Sequence, residues 1–510
     1  MSIPNAPSSS LRPLILPTLV AALGGLLFGY DLSVIAGAND ALKLHFGLGE
    51  AQVGFVGSSA ILGCIPGALL AGFLGDKLGR KKSLLLTAVL YIISAAWSAY
   101  PTEFLGVSGF HVFLTARFLN GLAVGAASMI CPTYISELAP KKHRGWLGTL
   151  FQLGIVTGIF VVFFCIQKFN AYGEGIDKAA GAAADTWLND KGWRYLLLSE
   201  AIPATPFLFL LLPIPESPRW LLQIGKEDKA KTILTKLLGH EEAEAEIRDI
   251  KAANTVGEAP FSHLFSKVLR RPLVIACGLA IFCQFCGMNA IMYYAPKVFQ
   301  SGAEVAAASA TAAEVAAATA AAKHSAYQCA VWVGLVNLLF TFVAIFCIDL
   351  IGRRPLLLIG SFFQFLMLGI TGWMYHKGYR GSDLLLPILG FIASFAMAMG
   401  PLPWVVISEI FPGNIRGRAI SVGIGTVWVA CYLLALTFPA MRDGFGKGIH
   451  ETMFKDLAVK MPFLEKGLGL DGTFFIYASV SLISFFFVLF LVPETKGRTL
   501  EEISSSWSKK

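Results

Sequence analysis

The sequence predicts an all-α membrane protein of twelve transmembrane helices, arranged as two six-helix halves joined by a short-helix cytoplasmic linker. Three observations predict it: apolar runs long enough to cross a bilayer, an uneven distribution of basic residues between them, and a set of motifs that occurs twice. A bilayer core of about 30 Å takes about 20 apolar residues in a helix. Such runs lie near 14–37, 53–75, 83–100, 108–131, 147–168, 194–213, 272–299, 327–349, 355–375, 384–408, 417–440 and 472–492. Composition agrees: of 510 residues 55% are hydrophobic and 15% charged, where a soluble chain carries about a quarter charged.

The basic residues set the orientation. With both termini in the cytoplasm, 26 of the 41 Lys and Arg residues fall on the cytoplasmic side and 14 outside, and only Arg117 lies within a span. The loop 76–82 holds four and 141–144 holds three, while the loop before Phe113 holds none. This is the positive-inside bias, and it accounts for the net charge of +8 without nucleic acid. No cleavable signal peptide is expected, because the first apolar run, from Leu14 past Gly37, lacks a basic leader. The nine cysteines lie in apolar runs or, for Cys329, at the start of one. They read as buried small side chains, the Cys283–Cys286 pair included, and not as metal ligands or a disulfide framework. The alanine-rich segment 303–322 carries Glu304 and Glu314. It reads as a helix-prone external loop, since a thirteenth span there would invert everything after it.

The repeat has a spacing near 272 residues. Asp76-x-x-Gly79-Arg80-Lys81 returns as Asp349-x-x-Gly352-Arg353-Arg354. Ser136-Glu137-x-x-Pro140-x-x-x-Arg144-Gly145 returns as Ser408-Glu409-x-x-Pro412-x-x-x-Arg416-Gly417, and Pro215-Glu216-Ser217 as Pro493-Glu494-Thr495. The boundaries follow: an N-terminal half over 1–213, a linker over 214–271, a C-terminal half over 272–492 and a cytoplasmic tail over 493–510. Parallel halves rock about a midplane site. On that scheme Asp76, Arg80, Glu137, Arg144, Asp349, Arg353, Glu409 and Arg416 form a cytoplasmic gate, pairing across the halves when that side is closed and parting when it opens. Plain topology anchoring is the competing reading, but it does not require acids at matched spacing.

Few polar groups lie inside the spans. Gln152, Gln284, Asn289 and Asn337 are amides in apolar surroundings, and Asp31, Arg117 and Glu200 are ionisable. Each must find a partner or line a cavity, because an unsatisfied polar group in lipid costs several kcal/mol. The amides serve either as glue between helices or as a polar cavity lining. The charges mark a proton path or a permanent ion pair.

These motifs resemble the sugar porter family of the major facilitator superfamily over nearly the whole chain. The resemblance also rests on Arg117 with Gly121 and Gly125, Pro132-x-Tyr134-x-x-Glu137, Pro215-Glu216-Ser217-Pro218-Arg219-Trp220, Gly287-x-Asn289-x-x-x-Tyr293-Tyr294 and Pro493-Glu494-Thr495-Lys496-Gly497-Arg498. It implies the major facilitator fold and a monosaccharide site at Gln152, Gln284, Asn289, Tyr293, Asn337, Trp404, Trp428 and Phe28. Amides suit hydroxyls because they donate and accept at once, and an indole offers a flat face to a sugar ring. The family's proton symporters carry an acid at the Asp31 position, which implies coupling through Asp31, Arg117 and Glu200. Two departures bear on the substrate. The first of the family's adjacent glutamines in the seventh span is Cys283 here, and Ile159 and Val427 stand where pentose symporters carry glutamine. The site is therefore more apolar, which favours a hexose such as glucose, with a pentose possible. The expectation is a proton-coupled secondary transporter, acting as a monomer in the cell (inner) membrane, with sugar, proton and lipid as partners. No cofactor, metal, nucleic acid or enzymatic activity is expected. The alternatives are a facilitative uniporter of the same fold and, more distantly, a non-transporting sugar receptor.

Overall fold

The computed structural model describes residues 12–103, 106–140, 144–181, 186–255, 260–300, 312–412, 415–442, 469–496 and 507. The first half begins with α1 (Arg12–Phe46), α2 (Glu50–Leu78), α3 (Arg80–Ala99), α4 (Gly109–Leu138) and α5 (Arg144–Ala180). A π-helical turn over Leu188–Gly192 leads into α6 (Trp193–Leu198) and α7 (Ala201–Leu210), which together form the sixth membrane segment. The linker holds α8 (Pro218–Gln223), α9 (Glu227–Leu238) and α10 (His240–Thr255). The second half holds α11 (Arg270–Phe285), α12 (Met288–Gln300), α13 (Ala312–Ile351), α14 (Arg353–His376), α15 (Leu385–Met397), α16 (Leu402–Glu409), α17 (Arg416–Arg442) and α18 (Gly469–Leu491). Among the described residues, eleven helical stretches are long and apolar enough to cross a membrane.

The sixth predicted span, which carries Arg194 and Glu200 and is not among those eleven, is interrupted. Pro203 has no N–H to offer the carbonyl of Ser199, so the helix tightens at Ser199–Glu200, where Ile202 N bonds Ser199 O at 3.0 Å. The seventh and tenth spans are likewise each two helices. The seventh breaks at Cys286–Gly287 and the tenth at Ala398–Pro401. The alanine-rich reading is corrected in part: Ala312–Ala322 is the first stretch of the 40-residue α13 and not a loop, while 303–311 lie outside the described residues. At 1.5 Å per residue, α13 and the 37-residue α5 reach about 60 and 55 Å, well beyond a bilayer core.

Close helix crossings organise the first half. A Cβ on Gly29 would stand 1.9 Å from the carbonyl oxygen of Ile155, so only glycine lets α1 lie this near α5. At 100° per residue Asp31 then points away from α5, toward α4. Between the halves, α2 packs on α17, α5 on α13 and α1 on α12. The buried apolar residues form one large cluster that spans the first half and the far ends of α12–α15, α17 and α18. The motif-bearing end of the second half has a separate core around Leu279, Leu356, Leu402, Phe411 and Val488. The halves therefore share a core at the end away from the repeated motifs and have separate cores at the motif end.

Candidate transport site

The first half holds a buried charged set. Arg117 Nη1 donates to Asp31 Oδ1 at 2.6 Å, with side chains 1% and 0% exposed. Asn120, one turn along α4, donates its Nδ2 to the same Asp31 oxygen at 2.7 Å and to Glu200 Oε2 at 2.8 Å. The structure thus brings together Asp31, Arg117 and Glu200, as the sequence pattern anticipated, and adds Asn120, which it did not. Glu200 reaches the set because the break at Ser199–Glu200 sits against α1. Tyr30 and Ser199 hydroxyls lie 2.6 Å apart beside it. Two carboxylates face one guanidinium, so the fully ionised set would carry a net negative charge in a low-dielectric interior, which is costly.

The second half holds the amides. Gly287 has φ +90°, which a side chain would strain, and the ring of Tyr477 lies where its Cβ would be. The turn it allows sets Gln284, at the end of α11, against Asn289, at the start of α12. Asn289 Nδ2 donates to Gln284 Oε1, and it also lies 3.3 Å from Cys431 Sγ on α17. Cys283 has more than a filling role. Pro403 cannot supply the N–H that Met399 O would otherwise receive, and the Cys283 thiol donates to that carbonyl at 3.1 Å. Aromatic side chains meet between the halves: Phe28 lies 5.4 Å from Trp428 and 6.5 Å from Phe151, the neighbour of Gln152 on α5. Trp428 is buried, and its indole N–H has no partner among the described residues. Asn337 is buried on α13, and Ile159 and Val427 are buried as well. Trp404 on α16 is 36% exposed and does not join the Phe28–Trp428 group. The side chain of Tyr293 lies outside the described residues. Its neighbour Tyr294 leaves helical geometry at φ −127°, with its hydroxyl against Gly57 of α2.

Residues 17–507 match the model of the family described as sugar (and other) transporter. The chain belongs to the sugar transporter family. The D-xylose-proton symporter of Escherichia coli K12 is 36% identical over 96% of this chain and 95% of its own length. The glucose transport protein of a Synechocystis strain is 35% identical over 98% and 99%. A solved structure of the E. coli xylose transporter, described as partially occluded and inward open, superposes with a TM-score of 0.76 at 33% identity, covering 96% of this chain and all of that one. The fold is accordingly the major facilitator fold, and this is an integral membrane protein of a transporter family.

At the motif end of the transporter, each half carries the same clamp. Glu216 Oε1 accepts the Lys81 N–H at the start of α3 at 3.0 Å, and Glu494 accepts the Arg353 and Arg354 N–H groups at the start of α14, both at 3.1 Å. A carboxylate there meets unpaired helix N–H groups and the positive end of the helix dipole. Arg80 bonds Glu137 at 3.0 Å and Asp76 at 3.2 Å, and Arg353 bonds Glu409 at 3.2 Å. These pairs run within each half. Pairing across the halves is expected only with that side closed, and the separate cores at this end are not those of a closed state. The side chains of Arg144, Asp349 and Arg416 lie outside the described residues. In the sequence Glu216 and Glu494 stand in matched motifs at the ends of the sixth and twelfth spans, and that repetition is the signal of a shared role, while their contact with the helix starts appears only in the fold.

Proposed function

We propose that the protein carries a monosaccharide together with protons by alternating access. The observation that carries this reading is the Asp31–Arg117 pair, at 2.6 Å with both side chains buried at membrane depth. A lone ionised side chain there is unfavourable by at least about 2.5–3.5 kcal/mol. Asp31 therefore binds a proton when Arg117 moves away and releases it when the pair re-forms. Protonation and conformation are thereby linked, which is what symport requires.

Gln152, Gln284, Asn289, Asn337 and Tyr293 serve as hydroxyl partners for the sugar, with Phe28, Trp404 and Trp428 around its ring. The xylose and glucose activities in the names of the relatives support a monosaccharide. The buried Ile159 and Val427 support a hexose such as glucose over a pentose. The separate cores at the motif end support a state open on that side, in line with the inward-open relative. Both termini and the linker are placed in the cytoplasm, the protein in the cell (inner) membrane, and the functional unit is one chain. The clamps and gate residues hold the motif end of each half as it swings.

Uptake into proteoliposomes with an imposed inward proton gradient tests the reading. Labelled sugar should accumulate beyond equilibration. If it only equilibrates, facilitated uniport by the same fold replaces symport. A cysteine at Lys251 should be labelled from the cytoplasmic face and one at Val107 from the other, and labelling from one face would overturn the orientation.

A further inference from the structure

We propose that Asn120 is a positioning residue that ties Glu200 to the Asp31–Arg117 pair, so that the two carboxylates take up one proton as a unit. The inference rests on the proton-coupled reading above and assigns a role to a residue that reading does not use.

The geometry is specific. One amide nitrogen with two hydrogens lies within hydrogen-bond reach of both acids, at 2.7 Å from Asp31 Oδ1 and 2.8 Å from Glu200 Oε2. Asn120 is wholly buried, as are Asp31 and Glu200 to within 1%. Among the described residues, three buried acceptors in the same set have no donor: Asp31 Oδ2, Glu200 Oε1 and Asn120 Oδ1. Buried acceptors ordinarily have partners, and one proton on a carboxylate supplies a donor to such a set. Charge counting agrees. Two ionised acids against one Arg117 leave a net charge of minus one, and one proton from the aqueous side, passed from hydronium to a carboxylate oxygen, brings the set to neutrality. Titratable groups face it from the neighbouring helices, Tyr30 from α1, Cys64 from α2 and Tyr91 from α3, with Cys165 of α5 beside Tyr30 and Cys131 of α4 beside Tyr91. None of these is an acid of carboxylate strength or a cation, so the balance is set by Asp31, Glu200 and Arg117.

Asn120 fixes that balance in a definite direction. Its two N–H groups stabilise the ionised carboxylates, so removing them favours the protonated forms up to higher pH. Hydrogen bonds to charged groups are strong enough that losing one moves a titration by about one pH unit. The test is gradient-driven sugar uptake against pH for the full chain in proteoliposomes, each profile scaled to its own maximum. Asn120→Leu should move the alkaline limb upward by about one unit. Asn120→Ser, with one donor in a smaller volume, should move it by less, and serves in place of the leucine variant if that one does not fold. In a Glu200→Gln background, the Asn120 substitution should displace the limb by clearly less than it does in the wild type, because only its bond to Asp31 then remains to be lost. Profiles that overlay the wild type, or displacements that simply add, overturn the role of Asn120 while leaving symport intact. A wild type without gradient-driven uptake overturns symport itself, and this inference with it.

Discussion

The two halves share a fold and differ at mid-height. The first half concentrates charge there: Asp31, Arg117 and Glu200, held with Asn120. The second half has neutral amides there, Gln284 and Asn289, beside two thiols. At the spacing that relates Glu137 to Glu409, Arg117 corresponds to Leu389 and Asn120 to Ile392, an apolar pair. At the motif end the halves are alike, with a glutamate on a helix N-terminus and an arginine paired to a neighbouring glutamate. Duplication thus left one scaffold used twice. One copy holds the groups suited to a proton and the other those suited to hydroxyls.

Substitutions can break or sharpen this division. The largest effect is expected from Arg117→Leu. It leaves Asp31 without its cation, a loss of about 3–5 kcal/mol for a buried pair. Both gradient-driven uptake and sugar exchange should fail, and thermal unfolding should come earlier. Asp31→Asn should instead abolish accumulation and retain exchange, because the amide matches the protonated acid. Should Asp31→Asn still accumulate sugar under a proton gradient, the charged set is structural. Next come Gln284→Ala and Asn289→Ala. Loss of one neutral hydrogen bond, about 0.5–1.5 kcal/mol, predicts roughly 2- to 13-fold weaker sugar binding by calorimetry or counterflow. The pH profile should stay in place, and a displaced profile would show that the halves do not divide the work.

The clamps test the likeness of the halves. Glu216→Gln and Glu494→Gln should each lower stability by about 1 kcal/mol in chemical denaturation, and by similar amounts. A loss confined to one half would show that the two ends are alike in shape only. The smallest effect is expected from Lys231→Ala in the linker. Its ammonium is held above its ordinary value by the hydrogen bond to Glu244, but the pair is exposed to water and salt. Uptake should match the wild type, and a marked loss would make the linker part of the transport cycle.

Much of this architecture was legible in the sequence, since a bilayer demands long apolar runs and the repeat fixes their parity. The helix breaks were not, because the runs containing Pro203, Gly287 and Pro401 are apolar enough overall to count as spans and hydrophobicity does not register a missing hydrogen bond. Asp31, Arg117 and Glu200 stood out because charge in lipid is rare. Asn120 did not, being one amide in a helix of small residues, although its place three residues after Arg117 puts it on the same face of α4. The alanine tract showed its helical propensity but not its continuity with α13.

The interruptions at Gly287 and Ala398–Pro401 have a mechanical consequence. A rod missing a backbone bond flexes at lower cost than a continuous one. α2 and α5, which pack on α17 and α13 of the second half, each run as one helix, whereas the seventh and tenth segments are jointed beside Gln284 and Met399. Among the described residues the first half has one such joint, at Ser199–Glu200, and the second has two. The amide pair Gln284–Asn289 straddles one of its joints, so a sugar bridging both residues would splint that joint and stiffen the half that holds it.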